Sequence, residues 1–142
     1  MQKSNTMRMI KLCTASLFLL PIQGLTEDLT SIIKKKEYEI FVDIDSYGQQ
    51  NNLPFITAKT VYLQPQLRSK ISPKKTFLQH LTQLQFDCKN PRYRVRLSHY
   101  LDQKSKVIAQ APAMENFEEI PVGSDIFSIG QLTCQVHQMV GG

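Results

Sequence analysis

The 142-residue sequence contains no tryptophan and only three cysteines. It has no Cys-x-x-Cys pair, which leaves thiol redox exchange without its usual motif. Gly-x-Ser-x-Gly is absent, as are phosphate loops and dinucleotide fingerprints, so the common nucleophile and nucleotide chemistries have no local signature. No self-similarity recurs in the range of roughly 20–50 residues, which excludes a solenoid. The histidines, His80, His99 and His137, stand at no short ligand spacing to one another or to a cysteine, so neither a metal nor another cofactor is expected. Hydrophobic residues make up 42% and charged residues 20%, an ordinary globular balance that excludes global disorder.

The start of the chain has a pattern of its own. Lys3, Arg8 and Lys11 form a basic lead, residues 12–22 are mostly apolar, Pro21 breaks the run, and Gly24 offers a small residue for cleavage. This is the layout of a secretory signal peptide over residues 1–24. The apolar stretch of about 11 residues falls short of the ~20 a spanning helix needs, and Thr26-Glu27-Asp28 follows it, so no membrane span is expected after cleavage. Cys13 precedes the apolar core instead of following it, which argues against a lipid anchor. A periplasmic or secreted location is expected. Removing the signal also changes the charge. The whole chain has 17 basic and 12 acidic residues, or +5; three of the basic ones lie in the signal, leaving 14 against 12 and a net +2. That is too little to imply nucleic acid as a partner.

Cys13 leaves with the signal, and Cys88 and Cys134 remain. Only one pairing is open to them, and an oxidising compartment favours it. Closing a loop of about 45 residues is worth roughly 4 kcal/mol in the chain-entropy picture.

Residues 25–37, with Leu29, Ile32 and Ile33 ahead of Lys34-Lys35-Lys36, read as a short helix or a loose N-terminal arm. From residue 38 the pattern is that of a sheet. Residues 38–44 alternate cleanly, 45–52 read as a connecting turn, and 56–63 form a second strand ended by Pro65. A polar stretch with Pro73, Lys74 and Lys75 leads to residues 76–87. These fit either period but read as a strand that delivers Cys88 into the next hairpin. After Asn90-Pro91, residues 92–100 are the clearest strand. Tyr93, Val95, Leu97 and His99 fall on one face, and Arg92, Arg94, Arg96, Ser98 and Tyr100 on the other. Residues 106–111 return as a further strand, and 111–123 are irregular with an acidic cluster. Ser124 stands where an N-cap belongs and Asp125 where the helix dipole favours a negative charge, so 124–138 is expected to be a helix weakened by Gly130. The fold class is α+β: an antiparallel sheet of about five to six strands with one C-terminal helix packed on a face and a disulfide between sheet and helix. The expected organisation is a signal (1–24), an arm (25–37), one domain (38–138) and a flexible end (139–142).

Catalytic groups do not assemble in the sequence. Gly123-Ser124 is better explained as a helix cap than as a nucleophile, and bonded cysteines offer no thiolate. Asp43 and Asp45 stand two apart, as a paired acid would, but acidic residues at a strand end account for them. The expected chain is not an enzyme. The better candidate is a binding surface: Arg92, Arg94 and Arg96 project to one side about 7 Å apart, with Lys89 nearby and Tyr93 and Tyr100 as flanks. Guanidiniums in such a row suit carboxylates or phosphates. The plain alternative is a solvated sheet face balanced by Glu115, Glu118 and Glu119. An unpaired edge strand would favour a homodimer.

Asp87-Cys88, the arginine strand 92–100, Tyr100-Leu101-Asp102, Pro121-Val122-Gly123-Ser124 and Cys134 occur in an order that resembles the surface-adhesin protein E-like family of Gram-negative bacteria. The resemblance covers residues 38–135 and is strongest from 86 to 135. Phe117 stands nearest to where the family often has tryptophan, and Lys104-Ser105 replaces a usual glycine. The resemblance implies a signal, a curved antiparallel sheet, a C-terminal helix and a bridge at Cys88 and Cys134. It also implies an exported, non-catalytic envelope protein that binds an unknown protein or matrix ligand, while the arginine row suggests an acidic one. The alternatives are a self-associating structural protein or a small periplasmic enzyme inhibitor.

Overall fold

Alternating apolar and polar residues, broken by short polar turns, make this chain a meander. The computed structural model describes residues 28–67 and 75–141. The expected signal over 1–24 and most of the polar stretch with Pro73 and Lys74 lie outside the described residues. Six strands pair antiparallel in sequence order: β1 (Leu29–Lys34), β2 (Tyr38–Gln50), β3 (Leu53–Leu67), β4 (Thr76–Asp87), β5 (Arg92–Leu101) and β6 (Val107–Ala111). A two-residue strand, β7 (Glu118–Glu119), also pairs with β5, beside Tyr93 and Arg92. The helix α1 (Asp125–Met139) closes the chain. Sheet, single C-terminal helix and the strand nature of residues 76–87 therefore agree with the sequence.

The helix lies on one face of the sheet. Ile40 and Val42 of β2, Ile56 and Ala58 of β3, Leu84 and Phe86 of β4, and Ile129 of α1 form the buried cluster. Each large side chain removed from water there contributes roughly 1.5–3 kcal/mol. Gly130, expected to be a weak point of the helix, is buried directly against the Phe86 ring and lets the two elements approach. Cys88, in the turn after β4, is bonded to Cys134 in α1, with an S–S distance of 2.09 Å and Cα atoms 5.8 Å apart.

Both helix ends are tied to β2. At the start, Ser124 adopts an extended backbone and its Oγ accepts from the Phe127 N–H at 3.2 Å. Asp125 then takes the Lys35 ammonium at 2.8 Å and the Tyr38 hydroxyl. Partial burial alone would raise the Asp125 carboxyl, but those two hydrogen bonds outweigh it and hold its pKa below the ordinary value, while Lys35 is pushed up by the same contact. At the far end Tyr47 Oη meets His137 Nδ1 at 2.8 Å and accepts from Gln49 at 2.9 Å.

Asp87 behaves like Asp125. Burial would raise it, but donors from Asn90 and Lys89 and the charge of Arg92 bring it down. Because both carboxyls have folded values below their unfolded ones, their contribution is complete above about pH 4 and is lost as pH falls through the folded values. Lys35 has the opposite sign, so its contribution is present at neutral pH and is lost on the alkaline side above about pH 10. The thermal midpoint should therefore fall on acidification from about pH 5 to pH 2. Asp125→Asn should cost about 1 kcal/mol at neutral pH and flatten that acid limb, read by circular dichroism melts across pH.

Three expectations need correction. Residues 29–34 are neither helix nor loose arm but the edge strand β1; its pairing with β2 slips between Ser31 and Ile33, and that irregularity hides the two-residue period. The turn expected over 45–52 is only Asn51-Asn52, both with positive φ, the geometry of a two-residue hairpin. The rest is strand interrupted by a register shift between Asp43 and Gly48. Pro65 does not end the second strand either: β3 slips out of register with β4 between Val61 and Gln66 and resumes at Gln66.

Candidate binding surface

The faces of β5 are set by an inserted residue. Leu84 pairs with Val95 but Gln83 with Leu97, so Arg96 is the extra residue of a bulge. A strict two-residue period fails at that point. Tyr93 and Val95 pair with Phe86 and Leu84 on the helix side, and beyond the bulge Ser98 and Tyr100 pair with Thr82 and His80 on that same side. Ser98 and Tyr100 are accordingly buried, at 5% and 2% exposure. Leu97 and His99 join Arg94 on the opposite face. The grouping expected from alternation is thus corrected in its second half, and neither Tyr93 nor Tyr100 flanks the arginines.

The arginines themselves are held differently. Arg92 is exposed, paired across β5 with Asp87 on one side and Glu119 of β7 on the other, so acidic neighbours already surround its charge. Arg94 donates Nε–H to Gln85 Oε1 at 2.8 Å and lays its guanidinium 4.9 Å from the centre of the Phe117 ring. Gln85, 1% exposed, is fixed in turn by its amide N–H groups on the carbonyls of Gln50 and Leu53. Arg96 stacks on Phe55 at 4.0 Å, and its Nη1 is buried with no hydrogen-bond partner among the described residues. Phe55 can lie there because its β2 partner is Gly48, where a Cβ would collide with the ring. A row Gly48–Phe55–Gln85–Arg94 across four strands, joined by Arg96 at the bulge and Phe117 after β6, thus presents two planar cations over two aromatic rings, on the face away from α1.

Alternation pointed to the arginines but not to their supports. Gly48, Phe55 and Gln85 come together only through register, and Phe117 arrives from the irregular segment after β6. The acidic cluster is split: Glu118 and Glu119 are in β7, and the N–H of nearby Met114 donates to Val95 O at 2.8 Å.

The other candidate groups serve local structure. Asp43 Oδ1 accepts from the backbone N–H of Asp45 at 3.0 Å, within the irregular part of β2. Ser124 Oγ donates to Pro121 O at 2.7 Å while it caps α1. His80 meets Ser98 Oγ at 2.7 Å and stacks on Tyr100 with ring centres 4.3 Å apart; His137 is the partner of Tyr47. No three His, Cys, Asp or Glu side chains converge as metal ligands among the described residues.

A feature that alternation did not reveal is a file of aromatic rings beyond the helix start. Tyr38 and Tyr62 lie 5.9 Å apart, Tyr62 and Phe77 5.7 Å, Phe77 and Tyr100 4.8 Å, and Tyr100 stacks on His80. Each of β2, β3, β4 and β5 contributes, so only the pairing of strands brings them together.

An antiparallel meander with one C-terminal helix, bridged from a strand-end turn to that helix, defines a small disulfide-linked α+β domain of the adhesin type. Residues 29–135 match the family described as surface-adhesin protein E, and the chain belongs to that family. A comparison with curated proteins returns no match. No helix among the described residues is long and apolar enough to cross a membrane.

Proposed function

We propose that this is an exported, non-catalytic protein of the cell envelope that binds an acidic protein or matrix ligand on the sheet face away from the helix. The observation that carries this reading is the pair Arg94 and Arg96, each stacked on an aromatic ring, with the buried Nη1 of Arg96 unpartnered among the described residues. Stacking and the Gln85 hydrogen bond reduce the side-chain freedom that a flexible cation would lose on binding. The family supports a binding role, and the disulfide supports export to an oxidising compartment. The cysteines are bonded, and the Ser98 hydroxyl beside His80 is buried at 5% exposure with the imidazole stacked on Tyr100, which supports a role without catalysis.

Retention on immobilised heparin and on an acidic matrix protein tests this. The Arg94→Ala/Arg96→Ala protein should bind at least roughly tenfold more weakly than the parent, and Arg94→Lys/Arg96→Lys should recover only part of the loss, because an ammonium keeps the charge but not the planar fork. Unchanged retention by a folded alanine variant would remove the assignment.

A further inference from the structure

The two ends of the sheet differ in charge and in exposed apolar surface. We propose that one of them docks on an anionic lipid bilayer. At that end lie the β1–β2 turn, the last residues of β3, the first of β4 and the β5–β6 hairpin. Short contacts hold these segments together. Leu63 N–H donates to Glu37 O at 3.0 Å, Leu67 pairs with Thr76, and Ser105 Oγ donates to Gln79 Oε1 at 3.5 Å. A cleft of about 310 Å³ between Pro65, Thr76 and Leu78 on one side and Asp102, Gln103 and Lys104 on the other sets β3 and β4 beside the hairpin.

The apolar half is a projection. β2 starts at Tyr38 opposite Tyr62, and β5 ends at Leu101 opposite Gln79. β3 beyond Tyr62 and β4 before Gln79 therefore extend past their outer neighbours as a two-stranded ribbon. Leu63 and Leu67 on this ribbon are 73% and 68% exposed, and Val107 at the start of β6 is 42% exposed. Apolar side chains that stand out this far leave water when they enter the boundary between headgroups and acyl chains.

The charged half surrounds them. Lys34 and Lys36 lie at the β1–β2 turn, Lys75 precedes β4, and Lys104 and Lys106 are on the hairpin; all are exposed. Lys35 is committed to Asp125, whereas these five lysines make no ion pair among the described residues. The acids beside them are Glu37, Glu39 and Asp102. Asp102 turns Oδ1 onto the backbone N–H groups of Lys104 and Lys106, and Glu39 takes the Ser31 hydroxyl. Five lysines against three acids leave a surplus of two positive charges at this end, whereas around the β4–β5 turn Asp87, Glu118 and Glu119 outnumber Lys89 and Arg92.

Lysine suits such an edge, because its methylene stem can lie along apolar surface while the ammonium reaches the lipid phosphates. Each basic side chain brought to an anionic leaflet strengthens binding roughly fivefold. A soluble polyanion would use the lysines alone. Projecting leucines among them fit a surface that is anionic outside and apolar beneath. The arginine row lies toward the other end of the sheet, so docking here leaves it open to its own ligand.

Sedimentation of the chain, as purified after export, with vesicles of phosphatidylcholine alone and of phosphatidylcholine with about one-third phosphatidylglycerol tests the site. The anionic vesicles should bind at least roughly tenfold more tightly, and salt raised from about 0.1 M to about 0.5 M should release most of the protein. Lys104→Gln/Lys106→Gln should weaken binding roughly tenfold or more. Leu63→Ser/Leu67→Ser, two exposed changes that leave the core untouched, should do the same. The chain has no tryptophan, so Leu63→Trp introduces a single indole, whose emission should move to the blue on the anionic vesicles. The Arg94→Ala/Arg96→Ala protein should bind them within about twofold of the parent, so failure of the arginine face and failure of this end are distinguishable. Equal binding to both kinds of vesicle or an unmoved indole emission would overturn the proposal. Full binding by the leucine variant would overturn it too, because it would show a plain polyanion site.

Discussion

Replacing Cys88 and Cys134 together with serine should lower the unfolding free energy by about 4 kcal/mol and the thermal midpoint by on the order of 15 °C, with the native fold retained. The bridge spans 46 residues of sequence, so its loss frees the denatured chain from a long closed loop, and the chain-entropy picture assigns most of the effect to that state. The native helix keeps its other ties: Tyr38 and Lys35 on Asp125, Tyr47 on His137, and Ile129 in the core. A domain of this size has about 5–15 kcal/mol in total, so the serine protein stays folded at room temperature but close to its limit. Urea unfolding should show a lower midpoint and a steeper slope, since an unbridged chain exposes more surface. Both cysteines must change at once, because Cys88 is exposed and a single replacement leaves a free thiol that can join two chains. A loss under about 1 kcal/mol would mean that the bridge adds little beyond the packing of α1.

The same bridge explains why so much of the architecture was legible. Two cysteines, a capped helix and stretches of two-residue alternation fix the sheet, the helix and their link without tertiary information; α1 and the presence of β5 follow directly, while β4 fits either period and reads as a strand from its place ahead of Cys88. What was not legible shares one physical cause. β1 slips at Ser31, β2 near Asp45, β3 after Val61 and β5 at Arg96, and each inserted or unpaired residue shifts the alternation that a linear reading depends on. At Arg96 this matters for function: the slip turns Tyr100 inward onto His80 and brings Leu97 and His99 round to the arginine face. Charge identified the arginines as candidates, since a row at spacing two survives up to the bulge. Their supports, Gly48, Phe55, Gln85 and Phe117, are far apart in the chain and individually unremarkable. The aromatic file is hidden for the same reason, because Tyr38, Tyr62, Phe77 and Tyr100 become neighbours only once four strands are aligned.

Gly130 offers the sharpest test of how closely helix and sheet are packed. On an exposed helix, glycine to alanine gains about 1 kcal/mol, because alanine has the better propensity. Here an added Cβ would stand 2.9 Å from Phe86 Cε1 and 3.0 Å from Cδ1, with Ile120 Cδ1 at 3.6 Å. Phe86 is fully buried, so its ring can yield only by pressing on the core around it. Gly130→Ala should therefore destabilise by about 1–3 kcal/mol, the reverse of the propensity trend. Phe86→Ala should cost about 3–5 kcal/mol, because it removes a fully buried ring from beneath the helix. The two changes are coupled in a definite direction. With the ring gone, the alanine methyl enters space the ring has left, so Gly130→Ala in the Phe86→Ala background should become neutral or stabilising. Denaturant unfolding of the four proteins gives the coupling, which should favour the double variant by at least about 1 kcal/mol over the sum of the single changes. Additive losses would show that glycine at 130 is not there to make room for Phe86.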